Sequence, residues 1–272
     1  MSSGAGYPAG VVNLYGETLE LSTTLASLGM PGMETKQAII YNPNYDFRLH
    51  INPAITQVLF YDASNDAGSR FESPITPALT NRAATGSGAS FDAMTTSDRL
   101  YVCLPDIIGG LHIDMTTSLN TNASAITVNY WTGAAFTSIT PTDGTIIGGA
   151  TSLAQDGDIT WTAPTDWVAS HLGGENYDYG VKGMSITDKD APGTYGFWLQ
   201  IYFSAALAAD VEIANIWTLN KNTNRGYFHG GQEYPISFDA RKVGAIEALL
   251  DADKIEAGEK DTMEITWIRT VI

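Results

Sequence analysis

Between Arg99 and Asn220 the chain alternates apolar and polar positions. In GLHIDM, Leu111, Ile113 and Met115 fall on one side of an extended backbone and His112 and Asp114 on the other; in AITVNYW, Ile126, Val128 and Tyr130 oppose Thr127, Asn129 and Trp131. A period of two is what a strand with one buried face produces. RLYVCLP, DITWTAP, GFWLQIYFS and VEIANIWTLN continue the series, with Gly, Asp, Pro or Asn between them. Shorter runs of the same kind, AIIYNP, DFRLHIN and ITQVLFYD, begin at Lys36, and in DFRLHIN the residues Phe47, Leu49 and Ile51 share one face. Many short strands separated by turn residues predict a mainly all-β fold, an antiparallel β-sandwich or jelly roll.

Two stretches break this pattern. Residues 1–35 mix Gly, Ser, Thr and Ala with scattered apolar residues, and they predict an extended N-terminal arm that orders by lying on a neighbour. Its candidate contact residues are Tyr7, Val11, Val12, Leu14 and Tyr15. Removing Met1 to Glu20 is then expected to leave the melting temperature nearly unchanged while weakening assembly. In ARKVGAIEALLDADKI, Val243, Ile246 and Leu250 stand at helical spacing, Asp239 can cap and Gly258 follows the end, which predicts one short C-terminal helix. The domain reading is an arm over 1–35 and a β-rich segment over 36–97, either a small domain of its own or part of the sandwich. A core β-sandwich over 98–220 and a strand-helix-strand segment over 221–272 complete it.

A length of 272 residues allows one large domain or two of ordinary size. Cys103 is the single cysteine and lies in an apolar run, as a buried small hydrophobe does. No apolar run approaches the length of a membrane span, and MSSGAGYPAGVV lacks the basic and apolar regions of an export signal, so neither a membrane nor export is expected. With a net charge of −16 most of the surface repels a nucleic-acid backbone, and no nucleic-acid partner is expected.

Catalytic signatures are sparse. The four histidines, His50, His112, His171 and His229, are far apart in sequence, and alternation places His50 and His112 on the polar, solvated side of strands. The oxygens of Asn220, Asn222 and Asn224 resemble half of a calcium loop, but Gly231 stands where a bidentate glutamate belongs, so the stretch reads as a polar turn. No metal or cofactor is expected, and the chain is read as a non-enzyme. The aromatics remain. Trp161 alternates with Ile159 and Trp217 with Ile213, which assigns both to the core, whereas Trp198 shares a face with Gln200 and Tyr202 opposite Phe197, Leu199, Ile201 and Phe203.

One longer pattern carries a resemblance. Tyr130, Trp131, Gly133 and Phe136 lead to Asp143, Gly144 and Thr145, then to Gly157, Trp161, Pro164, Asp166 and Trp167. Over about residues 98–218 this order resembles a β-sandwich module of tailed-bacteriophage virion structural proteins. Phe136 stands where that module more usually has tryptophan, and Leu199-Gln200 replaces its basic residue. Glu175 to Tyr195 lengthens a loop and makes Tyr177, Tyr179, Met184 and Tyr195 candidate contact residues, or else a tolerated solvated insertion. The resemblance implies a virion structural protein assembled in the host cytoplasm, first a capsid decoration or cement protein. Its partners would be the major capsid protein or tail proteins, with a homo-oligomer plausible on symmetry grounds. The alternatives are a tail, baseplate or fibre component, or a carbohydrate-binding module contacting host surface glycan.

Overall fold

The computed structural model describes residues 11–22, 26–29, 35–41, 44–65, 75–80, 88–91, 94–172, 195–219, 226–237, 243–251, 256 and 258–271. The first strands are β1 (Val11–Leu21), β2 (Ala26–Gly29), β3 (Thr35–Tyr41), β4 (Phe47–Pro53) and β5 (Gln57–Tyr61), followed by a one-turn helix α1 (Thr76–Thr80). The middle of the chain supplies β6 (Ala89–Ser90), β7 (Arg99–Leu104), β8 (Gly110–Met115), β9 (Ile126–Trp131), β10 (Phe136–Ile139) and β11 (Thr142–Asp143). Then come β12 (Gly157–Thr160), β13 (Ala169–His171), β14 (Tyr195–Phe203) and β15 (Glu212–Leu219). The last four are β16 (Gly226–Phe228), β17 (Glu233–Ser237), β18 (Val243–Leu250) and β19 (Asp261–Val271). The fold is all-β, and every strand pair described is antiparallel.

These strands form four sheets packed as two sandwiches. In the first, the sheet β10-β9-β14-β7-β5, with β13 added on β14, faces the sheet β11-β12-β8-β15-β6. Leu100, Val102, Leu199 and Ile201 of one sheet meet Leu111, Ile113, Ile159 and Ile216 of the other in a single core. In the second, β1-β19-β3-β17 faces β16-β4-β18-β2 across a smaller core of Leu21, Ile40, Phe47, Leu49, Ile246, Leu250, Met263 and Ile265. The first sandwich follows the expected alternation closely. Phe197, Leu199, Ile201 and Phe203 point inward, while Trp198 turns to the opposite face, fully buried, and donates its indole N–H to the Ser170 carbonyl at 3.0 Å. On that outer face Cys103 is buried as well, and burial pushes its thiol up to about 12.

The residues of the pattern from Tyr130 to Trp167 are architectural. The Tyr130 hydroxyl donates to Asp166 at 2.8 Å, and the Tyr130 ring meets the edge of Trp167. Gly133 closes the β9–β10 turn at φ +90°, a conformation that favours glycine. Asp143 accepts from the Thr145 N–H at 2.8 Å and from its hydroxyl at 2.6 Å, pinning the second turn. Gly144 and Gly157 are required together: a Cβ on Gly157 would lie 2.4 Å from the Gly144 carbonyl oxygen, and one on Gly144 would lie 2.8 Å from that of Asp158.

Three expectations are corrected. Val243–Leu250 is a strand, not a helix, paired with β4 on one side and β2 on the other. A central strand covered on both faces loses its alternation and reads as a continuous apolar run, so three residues at helical spacing arise without a helix. The described part of the arm, secondly, contributes strands to the fold. Val11–Leu21 pairs residue for residue with Asp261–Val271, and Leu21 is fully buried in the second core. Its polar sequence makes a weak strand in isolation, and the C-terminal strand some 250 residues away supplies its hydrogen bonds. The segment 36–97, thirdly, is divided: β3 and β4 join the C-terminal strands, whereas β5 and β6 join the first sandwich.

Two outcomes follow for stability. Deleting residues 1–20 strips β19 of one of its two partner strands and removes Leu19 from beside the second core, so the melting temperature measured by calorimetry should fall clearly, contrary to the arm reading. Trp161 is buried and donates its N–H to the Ile108 carbonyl at 3.0 Å, so Trp161→Ala should cost about 3–5 kcal/mol in urea unfolding.

Candidate functional site

The described residues gather unusual polar chemistry where the two sandwiches meet. The cause is local. Strand β15 shifts register between Ile213 and Asn215 against β8, so one extra residue sits in the strand. Ile213 and Ile216 both point into the first core, and beyond the bulge Asn215, Trp217 and Leu219 turn outward. Strict alternation would have put Trp217 beside Ile213; the bulge moves it to the opposite face, where it is buried against the second sandwich.

Trp217 is the wedge of this junction. Its N–H donates to the Ser27 hydroxyl at 3.2 Å, and Gly29 lies under its ring so closely that a Cβ there would come within 2.5 Å of the indole. Leu219 and Ala245 complete the apolar contact. Two further hydrogen bonds link the sandwiches: the Asn52 amide donates to the Thr218 carbonyl at 2.9 Å, and the Thr218 hydroxyl donates to the Pro53 carbonyl at 2.5 Å. Asn52, Thr218 and Glu247 are fully buried here, and among the described residues the side-chain oxygens of Asn52 and Asn215 accept no hydrogen bond.

On its other side Trp217 stacks against His112, with ring centroids 4.2 Å apart and planes 14° from parallel. His112 Nδ1 lies 2.7 Å from Asp158 and Nε2 lies 3.3 Å from Asp114. A carboxylate only accepts, so donating from both nitrogens requires the imidazolium form. Burial, the largest single influence, disfavours that charge, but the hydrogen bonds and charges of the two aspartates together outweigh it and lift the pKa to about 9. Neither nitrogen is left to take a proton from a substrate. The expectation of a solvated histidine is thus corrected: the polar face of β8 is covered because the second sandwich brings Ser27 and Gly29 over Trp217. His50 is half-buried on β4 opposite Glu247, so it too lies off a fully solvated face.

The candidate contact residues from the sequence are scattered. Tyr7, Tyr177, Tyr179 and Met184 lie outside the described residues, as do Asn220, Asn222 and Asn224 of the calcium-like turn. Val11, Val12, Leu14 and Tyr15 lie on β1, opposite Val271, Thr270, Ile268 and Trp267. Tyr195 opens β14, is 63% exposed and packs against its cross-strand neighbour His171 at 5.1 Å. Among the described residues no group of three His, Cys, Asp or Glu side chains is arranged to hold a metal ion. The junction itself was not legible, since nothing in VEIANIWTLN marks which residue is bulged. Compared with family models, curated proteins and solved structures, the chain matches none.

The charged His112 makes the junction sensitive to alkali. A pKa raised from 6.5 to about 9 contributes stability that is fully present below about pH 6.5 and is lost as pH rises through 9. The melting temperature should therefore fall between pH 6.5 and 9.5, and His112→Gln should flatten that slope while lowering the melting temperature at pH 6.

Proposed function

We propose that the protein is a non-enzymatic structural component of a tailed-phage particle, acting as a capsid decoration or cement protein on neighbouring coat subunits. The observation that carries this reading is the placement of the aromatics. Trp131, Trp161, Trp167, Trp198 and Trp217 are all buried, at 0–7% exposure. A glycan-binding module presents such rings on its surface as stacking platforms; here they fill cores and wedge two sandwiches together. The conformationally demanding residues of the pattern, Gly133, Asp143, Gly144 and Gly157, likewise hold turns, which suits a rigid body whose work is done through its surface. Tail, baseplate or fibre membership rests on the same scaffold argument. The glycan-binding alternative is favoured by one feature, the exposed Tyr195 at the start of β14 with His171 beside it.

Quantitative proteomics of purified particles should find the chain at a fixed stoichiometry to the major capsid protein, and a glycan array should give no binding. Replacing residues 175–194 by a short Gly-Ser connection should leave the melting temperature within about 2 °C, as a surface change of under ~0.5 kcal/mol does, and abolish incorporation into particles. Specific glycan binding lost in that variant would transfer the function to the alternative.

A further inference from the structure

A cation on so acidic a chain usually finds a carboxylate. Of the Lys and Arg side chains among the described residues, Arg48 pairs with Asp251 and Lys260 with Glu20. Arg99, at the start of β7, is different: the chain has 30 acidic residues, yet among the described residues no carboxylate pairs with it.

The carboxylate next to it in sequence is already engaged. Asp98 is buried and accepts from the Ala63 N–H at 2.8 Å, the Thr95 N–H at 2.6 Å and the Thr95 hydroxyl at 2.8 Å. Two carbonyls hold Arg99 instead: its Nη1 donates to those of Thr96 and Asp98, each at 2.7 Å. The guanidinium lies over the Tyr202 ring, 4.3 Å from its centroid. Nη1 and one face are thereby fixed, while Nε and Nη2 have no partner among the described residues.

The surroundings define what this edge can take. Tyr61 stands opposite Arg99 on β5 and Thr127 opposite Tyr202 on β9, so a half-buried row whose only charge is the guanidinium crosses four strands. A guanidinium edge presents two parallel N–H donors, which match the two oxygens of a carboxylate. One cation neutralises one carboxylate, whereas a phosphate dianion would keep a charge and a polyanion would meet a chain of net charge −16. A half-exposed ion pair contributes too little to hold a free acid, so the carboxylate has to arrive on a surface that makes other contacts. Tyr and Arg side chains are where such contacts concentrate.

We propose that Arg99 is a docking anchor whose Nε–Nη2 edge takes the carboxylate of an aspartate or glutamate on a partner protein, beside Tyr202. The inference rests on the virion reading, in which that partner is a neighbouring coat subunit.

Rebinding of the purified full chain to particles that lack it, followed by cosedimentation, tests the anchor. The unaltered chain should bind saturably, and Arg99→Gln should lower the affinity at least about tenfold. Raising salt from ~0.05 to ~0.5 M should weaken the unaltered chain more than Arg99→Gln, because ions screen the pair. Arg99→Lys should not restore binding, since a point charge replaces neither the fork nor the contact with the ring. Circular dichroism should be the same for all, which separates a lost anchor from a lost fold. Thr127→Glu keeps Arg99 but sets a carboxylate in the same row; it should weaken rebinding as well, and it carries the test if Arg99→Gln misfolds. Folded Arg99→Gln or Thr127→Glu binding as tightly as the unaltered chain, or full rescue by Arg99→Lys, overturns the anchor and leaves the virion reading standing. No saturable rebinding of the unaltered chain overturns both.

Discussion

Everything in this molecule turns on one extra residue in β15. The bulge between Ile213 and Asn215 lets a single strand serve two cores: its first half fills that of the first sandwich, and its second half presents Trp217 and Leu219 to the second. Without that shift the indole would compete for space beside Ile213. With it, the ring lies between His112 on one sandwich and Gly29 on the other, and three hydrogen bonds, from Trp217 to Ser27, from Asn52 to Thr218 and from Thr218 to Pro53, fix their registry. The polar groups at this junction are costly unless hydrogen-bonded. They give direction to a contact that an apolar patch alone would leave free to slide.

The second sandwich is held by the two ends of the chain. Strand β1 and strand β19 pair over their whole length, while β4 pairs with β18 and β16. These are contacts of high sequence separation, and loop closure must precede them. The first sandwich is built mostly from a contiguous stretch, 99–219, completed by β5 and β6. Its core is the larger of the two.

The pattern of residues from Tyr130 to Trp167 bears on this division. These residues fall within the first sandwich and hold it together. Tyr130 ties β9 to Asp166, Asp143 closes a turn and Trp161 fills the core. Such residues specify a scaffold and leave its use to edges, loops and added segments.

The sequence by itself determined the local period. Alternation in GLHIDM, AITVNYW and GFWLQIYFS was enough to predict strands, to send Leu199 and Ile201 inward and to set Trp198 on the opposite face. Trp161 was readable as core for the same reason. What tertiary structure alone decided was the outcome at positions whose local signal is ambiguous or overridden. Val243–Leu250 has apolar residues on both faces because both are covered, and helical spacing then appears by coincidence. Val11–Leu21 is too polar to announce a strand, and its partner stands at the far end of the chain. His112 sits on a polar face that another sandwich covers, and Trp217 changes sides through a bulge that leaves no mark in composition. A hydrophobic pattern records which side of a segment prefers to be dry; which distant segment arrives to cover the other side is set by long-range pairing, which no local window contains.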